Sequence, residues 1–162
     1  MGNTDNQNEV MDNVIDIQLQ NPKKKFRING DNSKIIELNP SDVNVVVRLK
    51  DTYKKLNTLA TRAGALLADK EDASDEEAIA RVSEGLETLD TEMRELIDKL
   101  FDSPVSDVLA NGMNMYSPVN GEFWFEHCIE VLSNLYTNNF NNEFKKMQEN
   151  IRKQTRKITG KS

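Results

Sequence analysis

Trp124, His127 and Cys128 are the only tryptophan, histidine and cysteine in 162 residues, and they fall within five consecutive positions of the run NGEFWFEHCIEVL. Two chemistries use such residue types. A Cys–His nucleophile needs the imidazole within hydrogen-bond reach of the sulfur and a third group to orient it. Adjacent residues on a helix point about 100° apart, which holds His127 and Cys128 away from that geometry. A structural zinc site takes four ligands, mostly Cys and His, and the chain offers one of each. Glu126 or Glu130 could join His127, but neither stands at the i+4 spacing of a helical metal pair. Trp124 and Cys128 are four apart and share a helix face with Phe125 and Leu132 nearby. A free cysteine packs as a small hydrophobe. The spacing therefore predicts a structural core of Trp124, Phe125, Cys128 and Leu132, with His127 at its edge and no catalytic or metal residue.

Other runs carry less. The terminal TGKS resembles the end of a phosphate loop, but Thr155 stands where the first glycine belongs. GDNSK, residues 30–34, opens like a calcium loop and then places Lys34 and Ile35 where ligands or glycine are needed. Residues 69–107 hold 14 acids and four bases, a density at which any carboxylate pair could be picked out, and a solvated face explains it. No catalytic constellation emerges, so the sequence predicts no enzyme and no cofactor.

Charge is unevenly placed. The chain has a net charge of −6, yet residues 1–142 carry 14 basic against 25 acidic residues, while residues 143–162 carry seven against two. Those seven are Lys145, Lys146, Arg152, Lys153, Arg156, Lys157 and Lys161. A basic tail on an acidic body suits nucleic acid or acidic protein, other copies of itself included. The tail has few interleaved aromatics, which argues against a stacking platform for single strands. Apolar residues make up 37% and charged residues 30%, and no run approaches the roughly 18 apolar residues of a membrane span. The start MGNTDN lacks both a secretory leader and, with Asn6 in place of Ser or Thr, a myristoylation signal. One cysteine fits a reducing compartment.

The positioning elements follow from periodicity. Residues 1–13 are polar and read as a disordered lead. Ile15, Ile17 and Leu19 alternate with polar residues, a strand signature, and FRI and KIIEL flank the turn signal Asn29-Gly30 as a hairpin. Asn39 as cap and Pro40 at the first position start a helix whose expected face is Val43, Val46, Tyr53, Leu56, Ala60, Ala63 and Leu67. Ser74 and Glu77 form a capping box for a second helix, with Ile79, Val82, Leu86, Leu89, Met93, Leu96, Ile97 and Leu100 inward. Ser103, Pro104 and Gly112 frame a short helical turn, and MNMYSPVNG reads as a loop. A long helix then runs from about Glu122 toward Ile158, through Phe140, Phe144, Met147 and Ile151. The expected class is α+β, mostly helical: a small N-terminal antiparallel sheet packed on about three main helices, the last one long. A single domain over 14–142 and a basic helical extension over 143–162 complete the organisation.

The runs FRINGDNSKIIELNPSDVNVVVRL, FDSPVSDV and MYSPVNGEFWFEHCIEVL, followed by EFKKM, resemble tail assembly chaperone-like proteins of long-tailed bacteriophages and prophages of Gram-positive bacteria. The resemblance spans about residues 14–150. It implies a non-enzymatic protein of the host bacterial cytoplasm that binds the long, helical tape measure protein and keeps it soluble while the tail tube polymerises. It brings no catalytic residues.

The residues themselves supply a mechanism for such a role. Phe144, Met147 and Ile151, with Lys145, Lys146, Arg152, Lys153, Arg156 and Lys157, form an amphipathic helix end suited to partner binding. The acidic second helix and the basic tail are complementary between copies, which predicts a homo-oligomer, built head to tail as a ring or filament. Two alternatives stand beside this: a virion structural protein of the tail or head–tail junction, and a small nucleic-acid-binding protein that uses the basic tail.

Overall fold

The computed structural model describes residues 13–68 and 75–160. The expected disordered lead (apart from Asn13) and Ser74 of the expected capping box lie outside the described residues. Two short hairpins and four helices succeed one another: β1 (Lys24–Arg27), β2 (Ile35–Leu38), α1 (Asn44–Ala68), α2 (Glu76–Phe101), α3 (Ser106–Ala110), β3 (Pro118–Val119), β4 (Glu122–Phe123) and α4 (Trp124–Thr159). The class is α+β and mostly helical, as the periodicity predicts.

β1 and β2 pair antiparallel, with Phe26 opposite Ile36 and Lys24 opposite Leu38. Ile36 and Leu38 turn their side chains into the core while Phe26 packs at its margin. Asn29 and Gly30 adopt positive φ in the connecting turn, which a Cβ-free glycine and a short amide tolerate. Asp31 accepts hydrogen bonds from the amide and hydroxyl of Ser33 at 2.9 and 2.7 Å. The Ser33 hydroxyl, followed by its amide, lowers the Asp31 pKa. This carboxylate organises the turn.

The strand expected over 15–19 does not form. Residues 14–23 carry no regular secondary structure, and Ile15, Ile17 and Leu19 are exposed. A period of two is necessary for a half-buried strand, but a strand also needs a paired neighbour and a surface to pack on, and Ile15, Ile17 and Leu19 have neither among the described residues.

α1 starts later than expected and buries a different face. Asn39 closes a local turn through its side chain, accepting from Ser41 N, and Asp42 Oδ1 accepts from the Asn44 amide at 2.9 Å. The buried positions are Val45, Thr52, Leu56, Leu59 and Ala63, with Leu49 and Leu66 beside them, whereas Val43, Val46 and Tyr53 are exposed. Positions 45, 49, 52, 56, 59, 63 and 66 alternate four-three spacing without a break, the seam of two helices packed nearly antiparallel. Thr52 was hidden in the sequence because its hydroxyl is polar; it is buried and donates to Arg48 O at 2.7 Å.

α2 returns alongside α1. Arg62 pairs with Glu92 at 2.8 Å near one end, and Arg48 Nε donates to Leu100 O at 2.9 Å near the other. Gly85 lies under Leu66, where an added Cβ would come within 2.6 Å of a Leu66 methyl. The helix is capped by Asp75, whose carboxylate accepts from Glu77 N. Its core face is Leu89, Met93, Ile97, Leu100 and Phe101, while Ile79 is exposed. The inward pattern fades toward the helix start, where it faces the end of α1.

Candidate functional site

The neighbourhood of Trp124 is built by a polar frame from α2. Asp98 accepts from Val105 N at 3.0 Å, Ser106 N at 2.8 Å and Ser106 Oγ at 3.0 Å. It therefore caps α3, whose own N-cap residue, Val105, makes no side-chain cap. Ser103, the expected cap, instead donates its hydroxyl to Glu37 O at 2.6 Å and ties the turn to β2. α3 ends in left-handed geometry at Asn111, with Gly112 following at φ 77°.

About two turns back along α2, Asp90 accepts from Met115 N at 2.7 Å and pairs with Arg94 Nε at 2.9 Å. Arg94 also reaches Asp107 at 2.7 Å and Met113 O at 3.0 Å. These contacts fix the segment after α3, which the sequence presents as a loop. It contains a second hairpin: Pro118 pairs with Phe123 and Val119 with Glu122 across Asn120-Gly121, both at positive φ. The same Asn-Gly signal that marks the first hairpin is present here, but two-residue strands are too short to show periodicity.

The hairpin delivers the chain into α4. Trp124 N donates to Ser117 O and Phe125 N to Met115 O, both at 2.9 Å, and Glu126 reaches back to Phe123 N at 2.8 Å. Four amides of a helix start, the N-cap included, lack intrahelical partners, and these contacts satisfy three of them. Tyr116, Phe123 and Phe125 pack as a ring cluster with centroids 5.3–5.8 Å apart.

Trp124 Nε1 donates to Leu109 O at 2.8 Å, and Cys128 Sγ lies 3.8 Å from the same oxygen. That carbonyl belongs to the last turn of α3. Phe125, Cys128 and Leu132 are buried, and Trp124 is half-buried against them. Burial pushes the Cys128 thiol up to about 11, so it is protonated at neutral pH and a poor nucleophile.

His127 points the other way. It is exposed, lies tilted against Trp124 with ring centroids 5.3 Å apart, and places Nδ1 3.5 Å from Glu122. Glu122, His127 and Glu130 bring one ligand atom each to within 4.8 Å of one another. The fold supplies Glu122 from β4, a contribution that helical spacing on α4 could not reveal. The trio sits at the surface, and its closest approach is the 3.5 Å between His127 Nδ1 and Glu122.

The residues of the basic end behave as a separate feature. The core contribution of α4 stops with Tyr136 and the half-buried Phe140, and Asn139 donates to Pro40 O and Ser41 Oγ at 3.0 Å. From Phe144 to Thr159 every residue is exposed, yet the helix continues. Phe144 is 54% exposed, Met147 53% and Ile151 60%, with Ile158 at 85% beyond them, on a helix whose remaining positions there are polar and charged. Lys145, Lys146, Arg152, Lys153, Arg156 and Lys157 flank them, and Lys146 pairs with Glu143 at 3.4 Å.

No protein-family model, curated protein or solved structure matches the chain. Among the described residues, no helix is long and apolar enough to cross a membrane.

Proposed function

We propose that the chain is a non-enzymatic tail assembly protein that binds the tape measure protein, itself, or both, through the projecting end of α4. The observation that supports this reading is the run from Phe144 to Thr159. Sixteen exposed residues correspond to roughly 24 Å of helix. A helix of this length gains little from propensity alone and normally depends on packing of an apolar face. Here that face exists, as Phe144, Met147 and Ile151, and the body of the protein does not cover it. A stripe of this kind flanked by cations is what helix-in-groove recognition uses, and a long acidic or amphipathic helix is its natural counterpart.

The resemblance of the runs quoted above to tail assembly chaperone-like proteins supplies the partner class. The opening trio fits the same reading as a fastening: Trp124 and Cys128 pin α4 to α3 through Leu109 O, and the rest of the helix is then free to project.

Co-expression with the tape measure protein of the same tail module tests the proposal. The partner is expected in the soluble fraction with the wild-type chain and in the pellet with Met147→Glu/Ile151→Glu. Both altered positions are exposed, so the variant keeps its fold. Equal solubility of the partner with and without the chain would refute the proposal.

A further inference from the structure

We infer that the projecting end of α4 is covered by a second copy of this chain, laid antiparallel in a closed, two-fold dimer. The inference rests on the reading of this helix end as the docking element and names what occupies it before another partner does.

The receptor is on the same helix. A groove of about 340 Å³ runs between α1 and α4, with Tyr53, Leu56, Ala60, Phe125 and Ile129 as its apolar wall and Glu126 and Glu130 on its rim. Tyr53 is 54% exposed there. At about 100° per residue, Ile129 and Ser133 of this groove fall on the same side of α4 as Phe140, Phe144, Met147 and Ile151, all within a sector of about 60°. The groove and the exposed stripe are thus two halves of one continuous face. Its N-terminal half is recessed and its C-terminal half protrudes.

An antiparallel second α4 centred between Asn138 and Asn139 sets Phe144 opposite Ser133, Met147 opposite Glu130 and Ile151 opposite Glu126. Lys146 then approaches Glu130, and Arg152 approaches Glu126. Two-fold symmetry makes each contact twice, so protruding half meets recessed half at both ends and the interface closes. Charge follows the same division. The first half of α4 carries Glu126 and Glu130 with no Lys or Arg, and the last 17 residues carry six bases against Glu143 and Glu149. A parallel pair would set base against base.

The acidic face of α2 is a poorer receptor. Asp90, Glu92 and Asp98 there are already engaged with Arg94, Arg62 and the start of α3.

Sedimentation velocity of the full-length chain at about 50 mM salt, where the screening length is still roughly 14 Å, tests the arrangement. A dimer is expected, and it should weaken as salt rises. Glu130→Lys and Lys146→Glu should each weaken dimerisation about tenfold or more, because each places like charges together at two symmetric sites. The double variant Glu130→Lys/Lys146→Glu should recover it. Both positions are exposed, and circular dichroism checks that the fold is kept. A wild-type monomer would overturn the inference, as would a dimer indifferent to both single variants, a double variant that fails to recover, or a ladder of species growing with concentration. A monomer that still solubilises the tape measure protein would overturn the dimer alone and leave the binding role standing.

Discussion

Asp98→Ala removes the acceptor of three hydrogen bonds at the start of α3. Val105 and Ser106 are buried, and no other side chain caps the helix. Loss of a side-chain cap costs about 0.5–2 kcal/mol. A buried donor left without a partner costs a further ~1–3 kcal/mol, and hydrogen bonds to charged groups lie at the upper end of their range. Part of the loss is recovered if water enters, so the net destabilisation should be about 2–4 kcal/mol. In a chain of this size, 1 kcal/mol moves the midpoint by about 2–4 °C, so the expected drop in Tm is roughly 5–15 °C. Asp98→Asn keeps an acceptor oxygen and should lose less than half as much. Thermal and urea denaturation of the two variants beside the wild type measure this directly. A fall of under about 2 °C for Asp98→Ala, or equal falls for the two variants, would refute the role given to the carboxylate.

Three further outcomes follow from the same contacts. The hydroxyls of Tyr116 and Tyr136 are buried without a hydrogen-bond partner among the described residues. Tyr136→Phe should therefore leave stability unchanged or raise it by up to about 1 kcal/mol, and a loss greater than that in urea denaturation would show that the hydroxyl is satisfied. Burial raises the pKa of Cys128 to about 11 and of Tyr136 to about 12. Both groups are neutral in the folded chain where the unfolded chain begins to ionise. The stability they add is complete below the unfolded pKa values, near 8.5–10, and is lost as pH rises through 11–12. Urea midpoints at pH 8 and about 10.5 should show the decline, and Cys128→Ala should reduce its slope. His127→Ala should be neutral within about 0.5 kcal/mol because the ring is exposed. A zinc-dependent rise in Tm that disappears in this variant would instead assign a cation to Glu122, His127 and Glu130.

Helix content and the first hairpin were legible because their signals are local. Asn29-Gly30 sits between apolar runs, and Leu89, Met93, Ile97 and Leu100 repeat at helical spacing over a long window. What was misplaced depends on tertiary partners. α1 carries apolar residues on two faces, and only its packing against α2 selects the one with Val45, Leu56 and Leu59 over the one with Val43, Val46 and Tyr53. The cap of α3 comes from Asp98, seven and eight positions upstream of the amides it holds, beyond any capping motif. Ile15, Ile17 and Leu19 carry the alternation of a strand but have no sheet neighbour among the described residues. At the candidate site, four-residue spacing puts Trp124 and Cys128 on one side, where both reach Leu109 O, while His127 is exposed with its ring against Trp124. The shared acceptor, Leu109 O, and the approach of Glu122 to His127 arise from the loop and hairpin, and the sequence holds no signal for either.

The projecting end of α4 is the proposed partner-binding element. Hydrogen exchange of residues 143–159, measured on the full-length chain with and without the tape measure protein, addresses this most directly. In dilute protein at high salt these amides should exchange close to the rate of an unprotected chain, while those of Leu89 to Leu100 stay protected. Addition of the partner should slow exchange at 143–159 by about tenfold or more and leave the core unchanged. Protection appearing elsewhere, with 143–159 exchanging as before, would contradict the account.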